Sequence, residues 1–530
     1  MFLAAADTYV VVLALTDMMA GVGLGVEALQ RATPIVSGFL LGYVAILPLV
    51  GRLADLAERR RVLVACLWIF LVGSVVTAMA VELGVLVGGR FLQGVGGGGL
   101  VPATMALVAD LWPPDRRGLP LGIVGGVQEL GAVAGPVLGA AILTLADWRA
   151  IFWVNSSAAA LLILVLRALA PPTSRGDPQP RRHRLAWRLG VLLVAALALL
   201  TLAAPQRLVA DVTLGIPFVP LVPGSRLLTP IGIVTLALVV GLAAYRFVGS
   251  WALLQAADLP GAALLATALG ALVLTFATAA PEREIVGPSG LALVPIAALA
   301  SAGVLWRQRS SRDPLVPRRL VRGRMLWACL VSALVGVALV AVVVDVPLLA
   351  RLTLTDSQTE AALVLVRFLV AVPIGALIGG WVLRYAGPAL VASTGLLLAG
   401  AGLAVMAGWG SGSLAGPAAT PVLACVGVGL GLSLAPVNAA ALASARPKAR
   451  GVAAAIVVVA RMVGMVLGLA LLTAFGLHRY FAAVAELADP TDPRALVDAA
   501  VVQVRTVFAG GCAAAVLAVA GALRLGGRAG

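Results

Sequence analysis

The sequence predicts an all-α membrane protein of about 16 transmembrane helices, and three observations carry that expectation. Of 530 residues, 61% are hydrophobic and only 12% charged, where soluble globular chains run at about 45–50% and about 25%. Mean hydropathy is +1.07. The apolar residues fall in repeated uncharged runs of about 20, the length of helix that crosses hydrocarbon, and arginines gather on alternate loops between those runs.

Six spans are expected before residue 170, near 1–19, 33–51, 62–80, 84–108, 118–143 and 150–169. Only six residues precede Asp7, so the first span is expected to be truncated and the natural start to lie upstream of Met1. A cleavable signal peptide is a poor reading, because no basic segment leads the run and an aspartate interrupts it. Four further apolar runs follow near 188–205, 228–248, 260–280 and 288–306, and six more near 325–344, 358–383, 387–408, 417–442, 451–476 and 500–524. The expected organisation is a six-helix bundle over 1–169, an insertion of about four membrane helices over 170–323, and a second six-helix bundle over 324–530 with an extended outer loop at 477–499.

Loop charges test that count. Arg52, Arg59, Arg60 and Arg61 follow span two, Arg116 and Arg117 follow span four, and Arg175, Arg181, Arg182, Arg184 and Arg188 follow span six. Seven arginines from Arg307 to Arg324 precede the second bundle, and Arg446, Lys448 and Arg450 separate its fourth and fifth spans. Glu282, Glu284, Glu486, Asp489, Asp492 and Asp498 fall in the opposite set of loops. Basic loops stay in the cytoplasm, so a multi-pass inner-membrane protein with both termini inside is expected, and the insertion must hold an even number of helices.

The same distribution excludes other classes. The net charge of +15 is almost wholly arginine, Lys448 being the one lysine. No basic run is interleaved with aromatics on a soluble domain, so nucleic acid is not the expected partner; membrane lipids are. Cys66, Cys329, Cys425 and Cys512 are scattered without paired spacing and read as packing residues rather than disulfides or metal ligands. His183 and His478 are the only histidines, one in a loop and one at a helix end, so no metal site and no Ser-His-Asp centre is expected.

The two bundles repeat one another. Gly51-Arg-Leu-Ala-Asp55 aligns with Gly380-Trp-Val-Leu-Arg384, and Gly135-Pro-Val-Leu-Gly139 with Gly464-Met-Val-Leu-Gly468, both at an offset of 329. Val95–Pro102, closing on Gly118, matches Val428–Pro436, closing on Gly451. Ordered matches at nearly one offset indicate parallel six-helix repeats, the plan of carriers that rock one half against the other around a midplane site.

Four segments resemble signatures of the major facilitator superfamily. The first is Gly51-Arg-Leu-Ala-Asp55-Leu-Ala-Glu-Arg59-Arg60-Arg61, similar to its cytoplasmic loop signature, with Leu56 and Glu58 departing from the usual basic residue and glycine. The resemblance implies a gate in which Asp55 caps a helix of the other half and Arg59 and Arg60 join a charge relay; a carboxylate at a helix N-terminus beside guanidinium groups makes a latch that is broken at modest cost. The second is Gly88-Gly-Arg90-Phe-Leu-Gln93-Gly94, similar to a segment whose buried arginine the family associates with proton transfer. An arginine in hydrocarbon needs a carboxylate or a watery cavity, and Asp7, in Asp7-Thr-Tyr-Val-Val-Val, is the natural partner. The glycines from Gly96 to Gly99 sit inside an apolar helix rather than a strand-to-helix turn, so they serve close packing and not phosphate binding.

The third and most specific is Gln128-Glu129-Leu-Gly131-Ala-Val-Ala-Gly135-Pro136-Val-Leu-Gly139, which resembles the fifth-helix signature of the antiporter branch. Gly131, Gly135 and Gly139 share one helix face and permit close helix approach, Pro136 bends the helix, and these glycines are expected to carry the rocking interface. The fourth, Asp147-Trp148-Arg149-Ala-Ile-Phe152-Trp-Val-Asn155, is similar to the opening of the sixth helix in exporters of this branch; belt aromatics at a water interface look the same.

Depth along the helices adds a charge pair. Glu129 and Arg461 each stand ten or eleven residues into their spans, near the midplane at about 1.5 Å per residue. They are expected to meet across the two halves, with Arg367 as rival partner for the glutamate. Protonating Glu129 would remove the attraction and bias the rocking equilibrium. Asp345, read as the outer end of its span, is either a stepping stone for protons or an ordinary interfacial residue.

The expected activity is proton-coupled efflux of a hydrophobic or amphiphilic substrate, with no cofactor beyond the proton gradient and a monomer as the working unit. Amphipathic stretches around the Asp489-Pro-Thr-Asp-Pro493 break, with the segments quoted above, resemble mycobacterial fourteen-helix exporters of triacylglycerides that work with a periplasmic lipoprotein. That resemblance implies a lipid; a small drug-like cation or amphiphile stays open beside it. A lipid-modifying membrane enzyme would need clustered His, Asp or Ser at one membrane face, which the sequence does not offer. A proton-coupled importer is disfavoured by the span-five glycines.

Overall fold

A computed structural model of the chain describes residues 1–24, 29–169, 181–205, 208, 216–221, 229–249, 251–277, 290–311, 313–318, 320–355, 357–487 and 492–526. The described residues form seventeen α-helices and no strand. The first half comprises α1 (Phe2–Gly21), α2 (Leu29–Leu56), α3 (Arg59–Ala78), α4 (Leu83–Leu111), α5 (Gly118–Leu145) and α6 (Arg149–Ala168). The insertion holds α7 (Arg181–Ala203), α8 (Pro230–Gly249), a short α9 (Trp251–Ala256), α10 (Leu259–Ala277) and α11 (Gly290–Ser310). The second half comprises α12 (Arg324–Thr353), α13 (Gln358–Val382), α14 (Pro388–Met406), α15 (Ala419–Ser444), α16 (Arg450–Ala485) and α17 (Pro493–Ala522). Eleven of the described helices, five in the first half and six in the second, are long and apolar enough to cross a membrane.

Local chemistry explains several boundaries. Pro493 opens α17 at its first turn, where its missing N–H costs nothing, and the Asp492 side chain accepts from Arg494 N at 2.9 Å. Ser357 caps α13 by accepting from Glu360 N. The expected ends fall short in two places. α12 runs to Thr353 rather than 344, which puts Asp345 inside the helix and buried rather than at an interfacial end. α16 is 36 residues long, about 54 Å at 1.5 Å per residue, so with a hydrocarbon core of about 30 Å it projects beyond the bilayer alongside α17.

The sequence repeat is a repeat of packing. In the first half α1 lies on α5, α2 on α4, and α3 on α4 and α6. The second half returns the same set, α12 on α16, α13 on α15, and α14 on α15 and α17. Glycine makes the closest of these approaches: a Cβ on Gly96 would fall on the Phe70 backbone of α3, and one on Gly98 on the Tyr43 carbonyl of α2. The Gly94–Gly99 run therefore serves two neighbours at once, as a packing role requires.

The halves meet along two seams that mirror each other, α2 on α16 and α5 on α13. At the first, a Cβ on Gly51 would lie 2.6 Å from the Gly451 carbonyl oxygen; at the second, a Cβ on Gly118 would lie 2.6 Å from that of Gly380. α4 also reaches α16, and α5 reaches α15, so the molecule is closed on its arginine-rich side. The insertion covers one seam: Leu265 and Leu269 of α10 pack into the core shared by Phe39 and Tyr43 of α2 and Ala455 of α16. Its base is tied by Asp258, whose carboxylate meets Arg307 Nε at 2.6 Å and accepts from Leu315 N at 3.0 Å.

Because that seam tolerates no side chain, Gly451→Val is expected to strain the closed arginine-rich face by about 1–3 kcal/mol, a shift of about 5- to 150-fold in a two-state equilibrium. Maleimide labelling of Ala454→Cys, buried one turn along α16 from Gly451, in an otherwise cysteine-free chain, should accelerate accordingly; an unchanged rate would show that the glycine contact does not hold the face shut.

Candidate functional site

Three charge clusters occupy the interior, and the helix order decides which residues enter each. On the arginine-rich side, Asp55 ends α2 next to the start of α16. Its Oδ1 accepts from Gly451 N at 2.7 Å and its Oδ2 from Val452 N at 3.0 Å, so the carboxylate caps a helix belonging to the other half. Arg59 stands 3.9 Å from Asp55, pairs with Asp110 at 2.8 Å and donates to the Pro447 carbonyl at 3.3 Å. Arg450 completes the bridge from the second half, 3.2 Å from Asp110 and donating to the Ala109 carbonyl. Arg60 makes no ion pair among the described residues. Asp110, which sequence reasoning passed over, is the acid that both arginines share. It could have been found as a carboxylate closing span four in the basic Asp110-Leu-Trp-Pro-Pro-Asp-Arg-Arg segment.

The second cluster lies wholly inside the first half. Asp7 of α1 pairs with Arg90 of α4, and both are 1% exposed. Asn155 of α6 donates to Asp7 Oδ1 at 2.6 Å, while Arg90 also donates to Gln93 Oε1 at 2.9 Å and to the Ile35 carbonyl of α2 at 3.3 Å. Gln93 in turn donates to Ser74 Oγ of α3 at 2.8 Å. The guanidinium sits over the Phe39 ring, 4.5 Å from its centroid. A charge pair this deep survives only when its remaining donors and acceptors are also satisfied, and five helices supply them here. Asn155 enters because Trp148 is buried against α1 and orients the start of α6: a Cβ on Gly21 would meet the Trp148 ring at 2.7 Å. The Trp148–Asn155 segment thus does more than mark an interface.

The third cluster joins the halves. Arg461 Nη1 of α16 lies 3.4 Å from Glu129 Oε1 of α5, with both side chains at most 13% exposed. The pair lines a cavity of about 20 Å³, room for about one water, walled by Gln128, Ser332, Ser433 and Asn438 among others. Ser332 of α12 donates to the Val457 carbonyl of α16 at 2.8 Å beside it. Arg367 does not compete for the glutamate: it is exposed and reaches Thr420 Oγ1 at 3.3 Å, because its position on α13 turns away from α5. Asp345 is buried without an ion pair among the described residues, so it is no charge partner either.

The span-five glycines also need correction. A Cβ on Gly135 would lie 2.5 Å from the Ala6 carbonyl oxygen, one on Gly131 would fall on the Phe2 carbonyl, and one on Gly139 on the Val10 side chain. This face packs on α1 within the same half. The contact with the other half is made by Gly118 and Gly122 on a different face of α5, against α13. Two glycine faces on one helix, one fixed and one at the seam, explain why the repeat alone did not separate them. Among the described residues no group of His, Cys, Asp and Glu could hold a metal ion, and the four cysteines are free.

Comparison with known proteins adds independent findings. The profile of the Major Facilitator Superfamily matches residues 1–221 and again 215–469. A triacylglyceride transporter of Mycolicibacterium hassiacum is 36% identical over 490 residues, covering 90% of this chain and 78% of that protein. The triacylglyceride transporter of Mycobacterium tuberculosis strain H37Rv is 34% identical over 509 residues, covering 93% of this chain and 84% of its own length. In shape, the chain is similar to the human organic anion transporter, with a TM-score of 0.55 and 15% identity over 98% of this chain and 96% of that one. It is also similar to a proton:xylose symporter, with a TM-score of 0.53 and 15% identity over 98% of this chain and 92% of that one.

Removing one partner of the Asp7–Arg90 pair leaves the other buried and uncompensated, at about 3–5 kcal/mol. Asp7→Leu and Arg90→Leu should each lower the thermal unfolding midpoint markedly, while the double variant recovers most of the loss. Additive losses in that cycle would show the two charges to be independent.

Proposed function

Because the chain belongs to the major facilitator superfamily, we propose that this membrane transporter extrudes a hydrophobic or amphiphilic lipid across the inner membrane in exchange for protons, by alternating access. The observation that carries the reading is the Glu129–Arg461 pair: one charge on each half, at similar depth, beside a cavity that admits water. With the pair intact the arginine-rich, cytoplasmic side is closed. A proton on Glu129 cancels the attraction, and Arg461 turns to water or to backbone carbonyls, which lowers the cost of separating the halves on that side.

Asp7 is the second exchangeable carboxylate in this scheme. Its network is sealed, so it trades its proton when movement of α1 and α4 opens a path to water, and Arg90 balances its charge when it is ionised. The Asp55, Arg59, Asp110 and Arg450 cluster is the gate, since these contacts must break whenever the cytoplasmic side opens. The lipid reading draws on the relatives named triacylglyceride transporters and on the projecting, amphipathic ends of α16 and α17, which offer a docking surface for a periplasmic lipoprotein.

Everted vesicles test coupling and direction together. Added triacylglyceride should collapse a preformed proton gradient in vesicles carrying the chain. Glu129→Gln and Asp7→Asn should cut that response by at least about tenfold, equivalent to 1.4 kcal/mol, while Arg367→Gln leaves it unchanged. Full response in Glu129→Gln would remove the glutamate from the coupling mechanism.

A further inference from the structure

The two seams between the halves are built alike but finished differently. At the α2–α16 seam Asp55 supplies a carboxylate to the N-terminus of α16. At the α5–α13 seam Gly118 packs on Gly380 in the same way, yet the residue that the repeat places opposite Asp55 is Arg384, and no side chain caps α5. Beside that junction, on the arginine-rich side, opens a groove of about 590 Å³ whose walls come from both halves: Trp112, Arg116 and Leu119 on one side, Arg324, Leu383 and Arg384 on the other.

Charge in this groove is unbalanced. Three guanidinium groups face a single carboxylate, Asp115, which lies 3.7 Å from Arg116 at an exposed position. Neither Arg324 nor Arg384 has an ion pair among the described residues. Arg384 instead lies against aromatic rings, 4.9 Å from the Trp381 centroid and 4.4 Å from that of Tyr385, contacts that leave its N–H groups without an acidic partner. Arginines presented in a concave site recognise phosphate through paired N–H donors. The positive end of the 28-residue α5 adds to the same field.

We propose that this groove binds a phosphate-bearing anion, and that the bound anion ties the halves together at the α5–α13 seam as Asp55 does at the α2–α16 seam. Two sources present that chemistry on this side of the membrane, the headgroup of an anionic phospholipid and soluble phosphate. Exposed Trp112 and Leu119 in the groove wall offer acyl chains a resting surface. The inference is independent of the transported substrate and of the direction of transport.

The test uses the full chain in nanodiscs of phosphatidylcholine, with phosphatidylglycerol added to the disc in one arm and inorganic phosphate added to the buffer in the other. The thermal unfolding midpoint is followed as each anion is titrated, because a ligand of the closed state raises it. A rise with phosphatidylglycerol alone assigns the site to a lipid headgroup, and a rise with phosphate alone assigns it to a soluble anion; either supports the proposal. Arg324→Ser with Arg384→Ser should weaken the response by at least about tenfold, whereas Arg318→Ser with Arg322→Ser, removing equal charge on the same side, should not. Arg384→Asp supplies the missing carboxylate, so it should remove the anion response without lowering the midpoint in anion-free discs. The proposal is overturned if neither anion moves the midpoint of the unaltered chain, or if the response keeps its strength in both Arg384 variants.

Discussion

Charge inside a bilayer has to be answered by charge or by hydrogen bonds within the protein, because hydrocarbon supplies neither. That constraint organises this molecule. Arg90 could not lie buried on α4 unless α1 brought Asp7 to it, α6 brought Asn155 and α3 brought Ser74 to Gln93. Five helices of the first half are therefore joined by one polar knot around this pair. Arg461 obeys the same rule with a different consequence, since its partner Glu129 belongs to the other half. One pair lies within a bundle; the other joins the two bundles.

Glycine sets the complementary constraint. Charges act at short range in a screened gap only if the backbones come close, and both seams are closed by facing glycines, Gly51 with Gly451 and Gly118 with Gly380. The polar contacts at Asp55, Arg59, Asp110 and Arg450 join the same two halves at the arginine-rich end. Contacts of that kind exchange readily for water.

The insertion adds asymmetry to this nearly twofold plan. α10 covers the α2–α16 seam from the side, and Asp258 ties the base of α10 to Arg307 of α11 and to the strand of chain leading into the second half. The α5–α13 seam has no such cover among the described residues, and it is also the seam whose latch position holds Arg384 in place of an acid. Two junctions of one plan thus differ in cover and in charge.

Composition and run length were enough to establish a helical membrane protein, since an uncharged run of about 20 residues has few other stable fates. The repeat at offset 329 was equally legible, and equal depth on helices of known rise, which is one-dimensional information, narrowed the partner of Glu129 to Arg461 or Arg367. Facing direction is different. Nothing local told Gly131, Gly135 and Gly139 from Gly118 and Gly122 as to which neighbour they met, or turned Arg367 toward Thr420, or carried α12 past Asp345. Nor could it join Asp110 to Arg59 and Arg450, residues 51 and 340 positions away along the chain. Rotation of each helix about its axis is decided by the packing of all its neighbours together, so those assignments belong to the tertiary structure alone.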